Sequence, residues 1–232
     1  MVNIKTLSSG SKGNAYLLED EHSSLLLECG INFRNIQIAT DFKASEIVGC
    51  LLTHEHKDHS KGLKDVLKNG IDVYASKGTI EAEKITHHRL KSIQARKQFN
   101  IGNWTILPFE VEHDAKEPFG YLIANGTEKV LFATDTYYVR FKFKGLTHIM
   151  IECNYSLDIL NDNIESGRVS AILKRRLMKS HFSLENVIEF LKANDLSQLK
   201  EVHLLHLSDN NSDENLFKRK VQEVTGVPVY IA

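Results

Sequence analysis

The feature that most constrains this chain is the passage from Ile47–Thr53 into His54-Glu55-His56-Lys57-Asp58-His59. Ile47–Thr53 is a short, nearly continuous apolar run, as expected of a buried strand. Four good metal ligands follow it at once: His54, His56, Asp58 and His59. In extended chain, side chains at i and i+2 point the same way, so His54 and His56 can share one ion. If a helix begins near Asp58, then Asp58 and His59 project elsewhere and can hold a second. The set mixes imidazole and carboxylate without thiolate, which suits a catalytic site rather than a closed structural one. A charged surface loop is the plain alternative, but such loops seldom place this density of ligands directly after a buried strand.

The rest of the chain alternates irregularly between two periodicities. Strands are expected at Val2–Ser8, Ala15–Glu19, Ser24–Glu28, Ile71–Ala75, Trp104–Val111, Phe119–Asn125, Lys129–Thr134, His148–Glu152, Glu201–Leu207 and Val227–Ile231. Helices are expected at Asn32–Lys43, Gly62–Lys68, Lys77–His88, Val169–Met178, Leu184–Ala193 and Glu214–Val224. Asn125-Gly126 is a two-residue hairpin signal. This order lacks the regular alternation of a doubly wound fold. Two sheets packed face to face with helices outside, an αββα sandwich, fit it better. With 232 residues, three prolines and no repeat or linker, a single domain over 1–232 is expected.

Composition excludes little. The net charge of −1 neither favours nor opposes a nucleic-acid partner, so only local patches inform. No stretch approaches the ~20 apolar residues of a membrane span, and the first residues lack an apolar signal core. The three cysteines, Cys29, Cys50 and Cys153, are far apart and lack C-x-x-C spacing. Reduced, buried thiols and a cytoplasmic location are expected.

Further ligands stand at strand ends: His113 after Ile106–Val111, Asp135 after Val130–Thr134 and His206 after Val202–Leu205. Each alone is as readily a cap or turn residue. Together with the first cluster, in that order, they resemble the metallo-β-lactamase superfamily. The YycJ/WalJ-like exonuclease branch is the nearer likeness. Supporting segments run nearly end to end: Ser8–Asn14, His113-Asp114-Ala115, Ala133-Thr134-Asp135, Glu152-Cys153-Asn154-Tyr155, Leu173–Leu177, Ser180–Ser183 and Leu205–Ser208. The chain departs from the branch at Glu28, where Asp is usual, at Ser180 and Phe182 around His181, and at Thr136-Tyr137-Tyr138, which replace an expected Gly.

The resemblance implies a four-layer αββα metallo-β-lactamase sandwich with two divalent metal ions, zinc or manganese, with iron also compatible. It implies His54, His56 and His113 on the first ion, Asp58, His59 and His206 on the second, and Asp135 bridging both. It implies a phosphodiester hydrolase, in particular a 5′→3′ exonuclease acting on DNA. Asp58 would orient the attacking water, and His181 would sit over the scissile phosphate. Equally open is His181 as a cap for the helix that starts near Ser183. Glu152 either faces the pocket or merely ends its strand.

Two basic stretches bear on the substrate. Lys84–Lys97 and Arg168–Lys179 carry several cations and no acidic residue. They can hold a phosphate backbone, or be solvated helix faces. The second abuts His181, which makes Arg175 and Arg176 candidate substrate-binding residues. Ser8–Asn14 offers backbone N–H groups to a phosphate or forms an ordinary hairpin turn. The alternative to a DNA nuclease is a phosphodiesterase for a small molecule such as a cyclic nucleotide, because 232 residues leave no room for large nucleic-acid-binding insertions. No membrane partner is expected, and oligomeric state is not legible.

Overall fold

The computed structural model describes residues 2–232. Contacts cluster into two compact units. The first takes the chain to Glu110 together with Ala115–Glu128; the second takes Val111–Asp114 together with Lys129–Ala232.

In the first unit, β1 (Asn3–Ser8), β2 (Ala15–Glu19), β3 (Ser24–Leu27), β4 (Ile47–Leu51), β5 (Val73–Ser76) and β6 (Leu90–Ile93) form a six-stranded sheet in that order. β1, β2 and β3 are antiparallel; β3 to β6 are parallel. Parallel neighbours require crossovers. These are α1 (Phe33–Ala39) between β3 and β4, α2 (Lys57–Ser60) and α3 (Leu63–Lys68) before β5, and α4 (Lys77–Glu83) before β6. One core joins Leu17, Leu26 and Val73 on the sheet to Ile36 of α1 and Val66 of α3. Each fully buried aliphatic side chain there contributes roughly 1.5–3 kcal/mol.

The other face of that sheet meets β7 (Phe99–Ile101), β8 (Trp104–Glu110) and β9 (Phe119–Asn125), an antiparallel run. A Cβ on Gly49 of β4 would lie 2.9 Å from the Ile101 side chain, so only glycine permits this approach. Trp104 is fully buried and donates its indole N–H to Ser23 Oγ at 3.0 Å. Tyr121 donates its hydroxyl to the Leu52 carbonyl at 2.6 Å. Both faces of β2 and β3 are therefore covered, which is why their sequences are continuous apolar runs rather than alternating ones.

In the second unit, β10 (Glu128–Ala133), β11 (His148–Glu152), β12 (Glu201–Leu205) and β13 (Val229–Ile231) run parallel in that order. The helices are α5 (Leu157–Glu165), α6 (Ala171–Ser180), α7 (Leu184–Lys192) and α8 (Glu214–Thr225). Ser183 caps α7 by accepting from Asn186 N, and Asp213 caps α8 by accepting from Leu216 N. α6 differs from its neighbours. Ile172, Leu173 and Met178 are exposed, and none of its described side chains is buried before Ser180.

Most expected elements are present; their ends are not always where expected. The helix expected to reach Lys43 stops at Ala39, because Asp41 and Phe42 adopt φ of 48° and 61°. That expected to reach His88 stops at Glu83, with Lys84 left-handed. α5, β6 and β7 have no counterpart among the expected elements. The last two are only four and three residues long. Cys29, Cys50 and Cys153 are free and buried, as expected. Among the described residues no helix is long and apolar enough to cross a membrane.

Candidate metal centre

In the first unit, the chain leaves β4 extended through Leu52 and Thr53, and α2 starts at Lys57 with His56 as its N-cap. The switch expected near Asp58 therefore occurs. His54 lies 4.6 Å from His56 and 4.3 Å from His59, ring centroid to centroid. Thr53 Oγ1 meets His54 Nδ1 at 2.9 Å, which fixes the ring. His59 Nε2 is 3.4 Å from Asp58 Oδ2.

Two residues outside the cluster hold it in place. Glu28, fully buried at φ 64°, accepts from Thr53 N at 3.2 Å and reaches His59 Nδ1 at 3.5 Å. Asn14 donates its backbone N–H to the Asp58 carbonyl at 2.7 Å, and its side chain meets His59 Nε2 at 3.1 Å. Gly30 is required here, since a Cβ would lie 1.6 Å from the Asp58 carbonyl oxygen. Ser8–Asn14 is thus a hairpin connection between β1 and β2 whose last residue grips the ligand loop.

In the second unit, the site is assembled at the carboxyl ends of parallel strands, where α/β sheets usually place ligands. Asp135 follows β10 at φ 44°, and His206 follows β12 at φ 53°. Positive φ at a non-glycine residue is strained, and such strain gathers at functional sites. His206 Nδ1 lies 2.9 Å from Asp135 Oδ1 and 3.2 Å from Glu152 Oε1. Asn154 fixes the His206 backbone, donating from Nδ2 to its carbonyl at 2.7 Å. His113 donates from Nδ1 to the Ser180 carbonyl at 2.9 Å and places Nε2 3.7 Å from Asp135 Oδ2.

Glu152 is the residue that sequence reasoning leaves undecided. It ends β11, is fully buried, and faces the cluster. Its Oε2 accepts from Thr136 N at 2.9 Å and Phe182 N at 3.2 Å. Its Oε1 meets His181 Nδ1 at 2.5 Å. The signal available was a carboxylate closing the apolar run Ile149-Met150-Ile151, where a charge is costly unless paired. His181 itself turns toward Glu152, while Ser183 supplies the α7 cap. One ligand atom from each of Asp135, Glu152, His181 and His206 falls within 4.8 Å of the others.

Charge in this cluster follows from burial. Burial alone would lower the His206 pKa, but Asp135 and Glu152 raise it to about 10. Burial opposes charge on His181 too, and Glu152 overrides it, so the pKa rises. Burial raises Glu152, yet the two imidazoles bring it below its ordinary value. His113 is lowered, burial outweighing Asp135 and Glu152, which favours a neutral ring able to donate a lone pair. Buried carboxylates that draw protons onto neighbouring imidazoles mark a place that asks for positive charge. Together with a donor set of nitrogen and oxygen only, they fit a divalent metal such as zinc, manganese or iron.

The candidate substrate residues Arg175 and Arg176 are exposed on α6, the helix whose C-cap is His181. The other basic stretch is built differently. Arg89 pairs with Asp72 at 2.8 Å and Arg96 with Glu110 at 2.9 Å, so these arginines serve the first unit's own structure.

Comparison with known proteins supports these observations. The beta-lactamase superfamily domain matches residues 24–204. The chain is 28% identical over 241 residues to exodeoxyribonuclease YycJ of Bacillus anthracis, covering 96% of this chain and 89% of that protein. It is 29% identical over 227 residues to exodeoxyribonuclease WalJ of Streptococcus pneumoniae serotype 2, covering 90% and 83%. Among solved structures, the metallo-beta-lactamase fold protein YhfI of Bacillus subtilis superposes with a TM-score of 0.77 at 18% identity, over 100% of this chain and 97% of that one.

Proposed function

Since the chain belongs to the metallo-β-lactamase superfamily and is a metal-dependent hydrolase of that fold, we propose that it cleaves phosphodiester bonds in DNA, as a 5′→3′ exonuclease. The observation that carries this reading is His181. It is anchored through Nδ1 on the buried Glu152, keeps 17% of its side chain exposed, and directly follows the basic helix α6. A lactam or thioester needs no such cationic approach; a polyanion does. The names of YycJ and WalJ point the same way.

We assign metal ligation to His54, His56, Asp58 and His59 in the first unit and to His113, Asp135 and His206 in the second, serving two divalent ions. Bound there, such ions supply Lewis-acid charge and a water acidic enough to attack near neutral pH. The chain's own residues do the rest. Asp58 orients the attacking water. Glu152 fixes the tautomer and direction of His181, so that the far nitrogen, Nε2, faces the phosphate. From there His181 donates a hydrogen bond to the phosphoryl oxygens or a proton to the leaving oxygen. Arg175 and Arg176 hold neighbouring phosphates of the strand.

A substrate panel tests this. The protein loaded with Zn²⁺ or Mn²⁺ should release nucleotides from labelled single- or double-stranded DNA, and Asp58→Ala should abolish release. Hydrolysis of cyclic nucleotides without release from DNA or RNA would replace the nuclease reading with a small-molecule one. No release from any phosphodiester would overturn both.

A further inference from the structure

We propose that the cavity between residues 138–142 and α7 is a subsite for a nucleobase, seating a base of the strand beside the phosphate under cleavage. This rests on the nuclease reading above. The cavity encloses about 230 Å³. That is below the roughly 300–1,000 Å³ of pockets for drug-sized ligands and suits one planar ring system. Phe182 and Phe190 line it, 2% and 8% exposed, with ring centroids 6.4 Å apart at 50°. Tyr138, 54% exposed, adds a ring open to solvent. The polar lining is Arg140, which also meets the Glu112 carboxylate, Lys142, the amides of Asn186 and Asn194, and one carboxylate, Glu189.

That combination identifies the occupant. Aromatic faces take a base by stacking, whatever its identity, while the cations hold its phosphates. An aliphatic peptide side chain or an acyl chain would use the apolar lining but leave Lys142 and the amide of Asn186 unused.

Position supports the same occupant. The cavity is tied to the ligand cluster through Glu152. Glu152 Oε2 accepts from Phe182 N and from Thr136 N, and Thr136 Oγ1 in turn accepts from Tyr138 N at 3.2 Å. One lining residue is thus the immediate neighbour of His181, and another hangs on the residue that follows Asp135. A strand whose phosphate lies at His181 thus finds aromatic lining one residue along the chain, at Phe182.

The test compares two phosphorothioate-linked, 5′-fluorescein-labelled hexamers, one of thymidine and one abasic, by fluorescence anisotropy on the metal-loaded full-length protein. The wild type should prefer the base-bearing strand about tenfold, within the range that base–aromatic stacking supplies. Tyr138→Ala should bring the ratio close to one. Tyr138→Phe should keep it, as should Phe42→Ala, which removes an exposed ring from the first unit. Retention of the preference in Tyr138→Ala overturns the subsite alone, as does a wild type that binds both strands equally. If neither strand binds and their ordinary phosphodiester counterparts resist hydrolysis, the nuclease reading falls and the subsite falls with it.

Discussion

In the first unit the candidate ligands lie within one stretch of chain, His54–His59, which runs from the connection after β4 into α2. In the second they come from separate segments, His113 before β9, Asp135 after β10 and His206 after β12, with Glu152 at the end of β11 and His181 after α6 beside them. The first set is organised by local geometry, an extended pair followed by a helical turn. In the second, Asp135, Glu152 and His206 meet because parallel strands in register bring their carboxyl ends level, His148 opposite Glu201 through Glu152 opposite Leu205. Each set is braced by a buried carboxylate. Glu28 touches one histidine and one backbone N–H; Glu152 touches two histidines and two backbone N–H groups. The contiguous set thus shares its bracing between Glu28 and Asn14, whereas in the dispersed set Glu152 is a hub joining several segments.

Removing metal should break the comparison most severely, because both sets fail together. Chelation should take phosphodiesterase activity to background, and Zn²⁺ or Mn²⁺ should restore it. Asp135→Ala should cost on the order of 10³-fold in kcat even with metal in excess, at least as much as the loss of one electrostatic donor in other hydrolases. Activity above a tenth of wild type would remove Asp135 from the centre.

The two braces come next. Replacing a residue that orients a metal ligand usually costs about 10–100-fold in metal affinity or activity. Glu152→Gln should fall at the upper end, since it removes the charge that positions His181 and His206. Glu28→Gln should fall near tenfold. Equal losses, measured as metal affinity and kcat on one phosphodiester, would mean that the dispersed set has no hub.

The same contrast explains what is legible in sequence. His54–His59 stands out because spacing alone puts its side chains together. His113, Asp135 and His206 are visible only as polar residues at strand ends, and nothing local says which ends meet. Glu152 and His181 stay ambiguous for that reason: a terminal Glu and a pre-helical His have ordinary capping roles. The helices show in their apolar period, but β6 and β7 are too short to have one. Lys84–Lys97 and Arg168–Lys179 look alike as sequences, yet Asp72 and Glu110, which pair with the first stretch, lie outside it.

A pH effect separates the sets further. The His206 pKa in the folded, metal-free protein is raised to about 10 from an ordinary value of 6.5. A raised pKa stabilises the fold fully below 6.5, and this contribution is lost as pH rises through about 10. The chelated protein should therefore lose Tm between those limits. Metal must displace that proton, so the loaded protein should hold its Tm across the window, and metal uptake near pH 8 should release protons into weak buffer. A chelated His206→Gln variant that retains the full alkaline decline would show that another group carries it.

The smallest effect expected is that of Arg175→Ala and Arg176→Ala. Both side chains are exposed on a helix that buries little, so each change should leave Tm nearly unaltered. On the nuclease reading their partner is a polyanion, so the effect should appear in salt dependence rather than in chemistry. Each loss should weaken DNA binding a few-fold at low salt and reduce the slope of log K against log[salt] by about one, with kcat at saturating DNA retained. Arg89→Ala in the first unit offers the contrast, because that guanidinium is already engaged by Asp72. It should leave the salt slope unchanged. If Arg89→Ala flattens the slope and the α6 variants do not, the strand runs along the first unit, and α6 does not hold it.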